Sequence, residues 1–144
     1  MAVANVPFFP QALLSPPTQF TNSTSTSTPT QLLAAKTNGV KLEAILVAST
    51  DTSARDFNLY INVSSTNYLI ATVSIPAGAG TTNNIPAVNL LSALTGASPL
   101  LPIPKDSNGN PYLYLDSSTA LYAAPGTTLT SGKVWNIAVI GESF

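Results

Sequence analysis

Arg55-Asp56-Phe57-Asn58-Leu59-Tyr60-Ile61-Asn62-Val63 is the stretch that decides the fold. Phe57, Leu59, Ile61 and Val63 alternate with Asp56, Asn58, Tyr60 and Asn62, and a two-residue period sends one set to a core and the other to water. The segment therefore reads as a half-buried strand of an antiparallel sheet. Ser64 to Asn67 supplies a turn, and Tyr68 to Ile75 returns as the second arm of a hairpin, with Leu69, Ala71, Val73 and Ile75 expected on one face.

Upstream, Thr37-Asn38-Gly39 is a turn tripeptide ahead of Val40 to Ser49. There Val40, Leu42, Ala44, Leu46 and Ala48 alternate with Lys41, Glu43, Ile45, Val47 and Ser49, a strand that begins half exposed and ends buried. Gln19–Asn22 and Thr30–Ala35 read as short strands joined by the hydroxyl tract Asn22 to Thr28. Downstream, Asn84 is expected to cap a short helix carrying Val88, Leu91 and Leu94. Pro99, Pro102 and Pro104 force an extended connection, Asp106 to Pro111 forms a turn, and Tyr112–Leu115, Thr119–Ala123 and Lys133–Gly141 finish as strands. The sum is an all-β chain of about eight short antiparallel strands with one long excursion. That pattern fits a jelly-roll-like β-sandwich better than an up-and-down barrel.

Residues 1–17 stand apart as an extended arm, because Pro7, Pro10, Pro16 and Pro17 remove backbone donors and favour extended neighbours. Residues 18–144 form the single sandwich domain. The arm carries Val6, Phe8, Phe9, Leu13 and Leu14, more apolar surface than a solvated tail tolerates, so these side chains dock on the chain's own sandwich or on a neighbouring subunit.

The chemistry is conspicuous for what is missing. The 144 residues contain no His and no Cys, five cations and six carboxylates. Ionising groups near neutral pH, thiolates and Cys-based metal sites are thereby removed, and the expectation is a non-enzyme with no cofactor and no metal. Lys36, Lys41, Arg55, Lys105 and Lys133 are scattered and the net charge is -1, which provides no footprint for nucleic acid. No apolar run approaches a membrane span, and the N-terminus lacks a basic region followed by an apolar stretch. The expectation is a chain made in a cytoplasm, without membrane contact.

Local motifs read as structure. Asp51 and Asp56 share a loop with Arg55, which suits an ion pair or Asx turn. Asp106-Ser107-Asn108-Gly109-Asn110 lacks the sixth-position glycine and twelfth-position Glu of an EF-hand and reads as a turn. Gly78-Ala79-Gly80 lacks the later glycine of a dinucleotide site. Among the aromatics, Trp135 is apolar-flanked and suits the core. Tyr112 and Tyr114 share one strand face and suit a protein interface or its rim, with a sugar-stacking platform as the alternative. The candidate partner-binding residues are Phe8, Phe9, Leu13, Leu14, Tyr112 and Tyr114.

Residues 37–144 resemble the cement or decoration proteins of tailed bacteriophages, small virion structural proteins that coat the capsid. The resemblance is carried by Thr37-Asn38-Gly39, Ser49 to Asp56, the hairpin Tyr68 to Ile75 with Pro76-Ala77-Gly78-Ala79-Gly80, Pro86-Ala87-Val88-Asn89-Leu90-Leu91, the Asp106-to-Pro111 turn and the apolar final strand closing near Gly141. It implies a jelly-roll-like sandwich, a homodimer or homotrimer on the capsid exterior that bridges neighbouring major capsid protein subunits, and no catalytic residues. Low charge agrees with such a role, since uncharged polar surface is cheap to desolvate and does not repel its own copies. The alternatives are another virion component, such as a fibre, tail or connector protein, or a carbohydrate-binding or adhesive sandwich.

Overall fold

A computed structural model describes residues 12–95 and 100–144, and among them nearly everything regular is strand. In chain order these are β1 (Ala12–Leu13), β2 (Thr18–Thr21), β3 (Thr30–Leu33), β4 (Val40–Ser49), β5 (Arg55–Val63), β6 (Thr66–Ile75), β7 (Val88–Asn89), the helix α1 (Leu90–Leu94), β8 (Leu113–Leu115), β9 (Thr119–Pro125) and β10 (Val134–Ser143). Sheet A centres on the long pair β10 and β4, with β1 and β2 in series along one edge and β7 and β8 along the other. Sheet B runs β3-β9-β5-β6. All pairs are antiparallel, so the chain is the expected all-β sandwich.

The pairing is nested. β5 pairs β6, β4 pairs β8, β3 pairs β9 and β2 pairs β10. One long antiparallel ribbon is thus folded at the β5–β6 turn and wrapped so that successive pairs fall in alternate sheets, which is the jelly-roll arrangement. At its apex Ser64 and Ser65 both take positive φ, 51° and 66°, as a two-residue hairpin loop of the twist-compatible type requires.

The core lies between the sheets. Trp135 and Phe20 from sheet A meet Phe57 from sheet B, with ring centroids 5.6 Å apart for Phe57–Trp135 and 6.1 Å for Phe20–Phe57. Trp135 is fully buried and its Nε1 donates to Ser49 Oγ at 3.0 Å, so the one polar atom of the largest core side chain is satisfied.

Three expectations need correction, two of them through bulges. In β6, Val73 and Ile75 are buried as expected, but nearer the turn the buried residue is Ile70, while Leu69 is 48% exposed. The β5–β6 register slips between Leu59 and Tyr60, so that Leu59 faces Ala71 and Tyr60 faces Leu69; the extra residue reverses the facing of everything beyond it. The end of β4, expected to be buried, is so on one side only: Val40 and Leu42 face inward at its start and Ile45, Val47 and Ser49 at its end, leaving Ala44, Leu46 and Ala48 half-buried on the outer side. The register shift opposite Ile140/Gly141 accounts for the change of phase. Gly141 is required there, because a Cβ would collide with the Lys41 carbonyl oxygen.

The helix also starts later than Asn84. That residue adopts φ 72° in a turn closed by the Thr82–Ile85 bridge, and Pro86 keeps Ile85 from helical geometry. Asn89 is the actual cap, its side chain accepting from Leu91 N at 3.2 Å. Val88 belongs to β7, and the buried helical residues are Leu90, Leu91 and Leu94.

The loops use their own hydroxyls and carboxylates. In the tract after β2, Thr24 Oγ1 accepts from Thr21 N, and Ser25 Oγ accepts from Ser27 N and Thr28 N. Asp51, 1% exposed, accepts from Ser53 N, Thr130 N and Thr130 Oγ1, tying the β4–β5 loop to the β9–β10 loop. Arg55 Nε lies 3.4 Å from Asp51 Oδ2, an ion pair without hydrogen-bond alignment. Both the Asx turn and the ion pair read from the sequence are therefore present.

Candidate interaction face

The two sheets differ in what they show to the outside. On sheet B, Thr72 Oγ1 donates to Asn58 Oδ1 at 2.8 Å, Asn62 Nδ2 donates to Asn67 Oδ1 at 2.8 Å and Tyr60 sits opposite Tyr122, while Tyr68 and Leu69 near the β5–β6 turn are about half exposed. On sheet A the centre is apolar. Ile140 lies opposite Ala44, Ala138 opposite Leu46 and Asn136 opposite Ala48, and the five apolar members of these pairs are half-buried.

Charge gathers at one end of that face. Glu142 pairs with Lys41 and Lys41 with Tyr114 across β10, β4 and β8. Lys41 Nζ donates to Glu43 Oε1 at 3.2 Å and lies 5.5 Å from the centre of the Tyr112 ring. The hydrogen bond to Glu43 and the nearby carboxylates outweigh desolvation and raise the lysine above its ordinary range. The other Glu43 oxygen, Oε2, is enclosed and has no hydrogen-bond partner among the described residues.

Tyr112, just ahead of β8, and Tyr114 within it meet edge to face with centroids 5.2 Å apart. Tyr114 is 57% exposed and continues at 6.1 Å to Phe144, itself 58% exposed. The sequence expectation for Tyr112 and Tyr114 placed them on one strand face; Phe144 was not singled out, because one residue beyond the last alternating stretch carries no periodic signal. Phe144 N donates to Gly39 O at 3.3 Å, which holds the terminus on the sheet.

The remaining candidates lie at the other edge or outside the description. Leu13 in β1 is 53% exposed beside Ile140, and Leu14 packs against the core, its N–H donating to Val139 O at 2.9 Å. Ser15 Oγ donates to Leu32 O at 2.8 Å, satisfying a carbonyl of β3. The inner end of the arm is thus bound to its own sandwich. Phe8 and Phe9 lie outside the described residues.

Two hollows adjoin the aromatic row. A cleft of about 520 Å³ lies between β4, α1 and the 105–112 turn, lined by Lys41, Glu43, Asn89, Asp106, Asn110 and Tyr112 among others. Asp106 has little left to offer a ligand there. Its Oδ1 accepts from Asn108 N and Asn110 N, both at 2.8 Å, and its Oδ2 from Asn110 Nδ2, which holds its carboxyl below the usual range, chiefly through Asn110 N. The second hollow, about 370 Å³, is an apolar groove lined by Tyr114, Phe144, Ile61, Leu101, Leu115 and Gly39 among others.

Among the described residues no three of His, Cys, Asp and Glu gather in a way that would hold a metal ion. No helix among them is long and apolar enough to cross a membrane. No family model matches the chain, and neither the curated proteins nor the solved structures contain a match.

Proposed function

We propose that this chain is a structural virion protein that binds the outside of a bacteriophage capsid and cements neighbouring major capsid protein subunits, acting as a homodimer or homotrimer and without catalysis. The observation that carries the reading is the outer face of sheet A, where Leu46, Ile140 and the alanines between them form an uncharged apolar surface on a folded sheet. Such a surface is stabilised by contact with another protein. A cement binds assembled shell in preference to free subunits, so it stabilises the particle by mass action, and many weak copies act together.

The test is stoichiometry in purified particles. A cement is present in numbers comparable to the major capsid protein, whereas a fibre, tail or connector component is present in tens of copies or fewer, by order of magnitude.

A second reading has its own observation, the cleft beside Tyr112. An aromatic ring, amides and an unpartnered Glu43 oxygen suit the hydroxyls of a neutral saccharide. Binding of neutral oligosaccharides that disappears in Tyr112→Ala would favour it, and silence across a glycan array would remove it.

A further inference from the structure

We propose that Asn108-Gly109, in the turn bounded by Lys105 and Pro111, is a self-modifying site: the Gly109 nitrogen attacks the Asn108 side-chain amide, the residue becomes a carboxylate, and Asp106 sets the pace. The chain holds two Asn-Gly pairs, Asn38-Gly39 and Asn108-Gly109. A glycine after asparagine has no Cβ to obstruct the approach of its nitrogen to the amide carbon. The sequence marks both pairs alike, and the fold separates them.

Asn38-Gly39 is clamped. Gly39 is buried, its N–H donates to Lys36 O at 2.8 Å and its carbonyl accepts from Phe144 N at 3.3 Å. A Cβ built on it would lie 2.7 Å from Leu115 O, so the β8 backbone occupies the space into which the glycine would have to turn. Gly109 is open where Gly39 is closed. Ser107 to Asn110 are exposed, a Cβ on Gly109 would meet nothing within 4 Å, and its carbonyl accepts no backbone hydrogen bond among the described residues. Backbone conformation does not distinguish the two, since φ is 82° at Gly39 and 83° at Gly109.

Asp106 holds the open turn together. Gly109 N donates to Asp106 O at 3.0 Å, Asp106 N donates to Asn110 O at 2.9 Å, and Asp106 Oδ1 accepts from Asn108 N and Asn110 N, both at 2.8 Å. Ring closure requires the first of these bonds to break, and an exposed turn opens locally at far less cost than a packed one. Gly109 N then loses its proton and bonds Asn108 Cγ, the Cγ–Nδ2 bond breaks, and the amide nitrogen leaves as ammonia with that proton. Water opens one of the two ring C–N bonds of the resulting cyclic imide, giving aspartate or its isomer with the main chain routed through the side-chain carbon.

Either product places a third carboxylate on the cleft beside Tyr112, whose lining already holds Glu43 and Asp106 against the single cation Lys41. The new charge stands two residues from Asp106, where like charges repel. Conversion therefore loosens the turn and makes the cleft more negative as the protein ages. This holds whatever occupies the cleft and independently of the capsid reading.

Peptide mapping by mass spectrometry, on the folded full-length chain incubated at neutral to mildly alkaline pH, tests the proposal. The expected result is amide-to-carboxylate conversion, with isoaspartate, accumulating at Asn108 several-fold faster than at Asn38, and the two rates converging when the chain is unfolded in guanidinium. Equal rates in the folded chain, faster conversion at Asn38, or an Asn108 that stays intact over a time in which the unfolded chain converts overturns it. Asp106→Ala, with wild-type circular dichroism, should hasten conversion at Asn108 several-fold and leave Asn38 unchanged; an unchanged or slower rate at Asn108 also overturns it.

Discussion

Asp51→Asn is the substitution whose cost can be worked out most fully. The carboxylate is buried and accepts from Ser53 N, Thr130 N and Thr130 Oγ1, with the Arg55 guanidinium at 3.4 Å. An amide keeps one acceptor oxygen but turns an NH₂ toward one of these donors. At least one charge-assisted hydrogen bond, worth about 1.5–3 kcal/mol, is lost and a buried donor is left unpaired at about 1–3 kcal/mol. A loss of about 3 kcal/mol is the conservative sum of these two effects. For a chain of 144 residues the unfolding entropy is about 0.3 kcal/mol/K, so the melting temperature should fall by about 10 °C at neutral pH.

The pH dependence provides the sharper half of that test. Burial alone would raise the Asp51 carboxyl, but the hydrogen bonds from Thr130 and Ser53 and the charge of Arg55 outweigh it and hold it below its ordinary range. A native value lowered in this way gives stability that is fully present above the unfolded value of about 3.9 and is lost as pH falls through the native one. Asn does not titrate, so the gap between wild type and variant should be widest at pH 6–7 and narrow steadily below about pH 4. The assay is thermal unfolding followed by Trp135 fluorescence from neutral to acid pH. A gap below about 2 °C at neutrality, or one independent of pH, would refute the assignment of Asp51 as the tie between the two loops.

Other substitutions test separate links. Gly141→Ala forces a Cβ against the Lys41 carbonyl at the bulge and should lower stability by about 2 kcal/mol or more, read as a lower denaturant midpoint. Ser64→Asn with Ser65→Gly suits the two positive-φ positions and should raise stability by about 1 kcal/mol in the same measurement. Leu46→Lys lies on the outer face of sheet A and should move stability by only about 0.5 kcal/mol. It should nevertheless strongly reduce co-sedimentation with capsids, by placing a charge in the proposed contact; retained co-sedimentation counts against that face.

Much of this fold was legible because strand periodicity is a local signal. β5 and β10 alternate cleanly, and the strands from Gln19 to Gly141 fall close to where the alternation and turn residues place them. What escaped depends on partners distant in sequence. The bulges at Leu59/Tyr60 and Ile140/Gly141 reverse facing in β6 and β4, and a single sequence cannot show which strand lies opposite. β7 is only two residues long, too short for any period, and exists because β4 presents ladder groups to it. At the site, Tyr112 and Tyr114 were readable from their spacing, whereas Phe144 joins them only through three-dimensional pairing. The end of β4 reads as apolar on both faces, so the sequence alone leaves open which set faces outward; the change of phase puts Ala44, Leu46 and Ala48 there.

A reconstruction of the intact particle tests the central claim most directly. The account predicts density for this chain on the capsid exterior at high copy number, with Leu46 and Ile140 of sheet A turned against major capsid protein. Particles in which the chain is missing from the shell, or sits with the Asn58–Thr72 side of sheet B against the capsid and sheet A facing solvent, would contradict it.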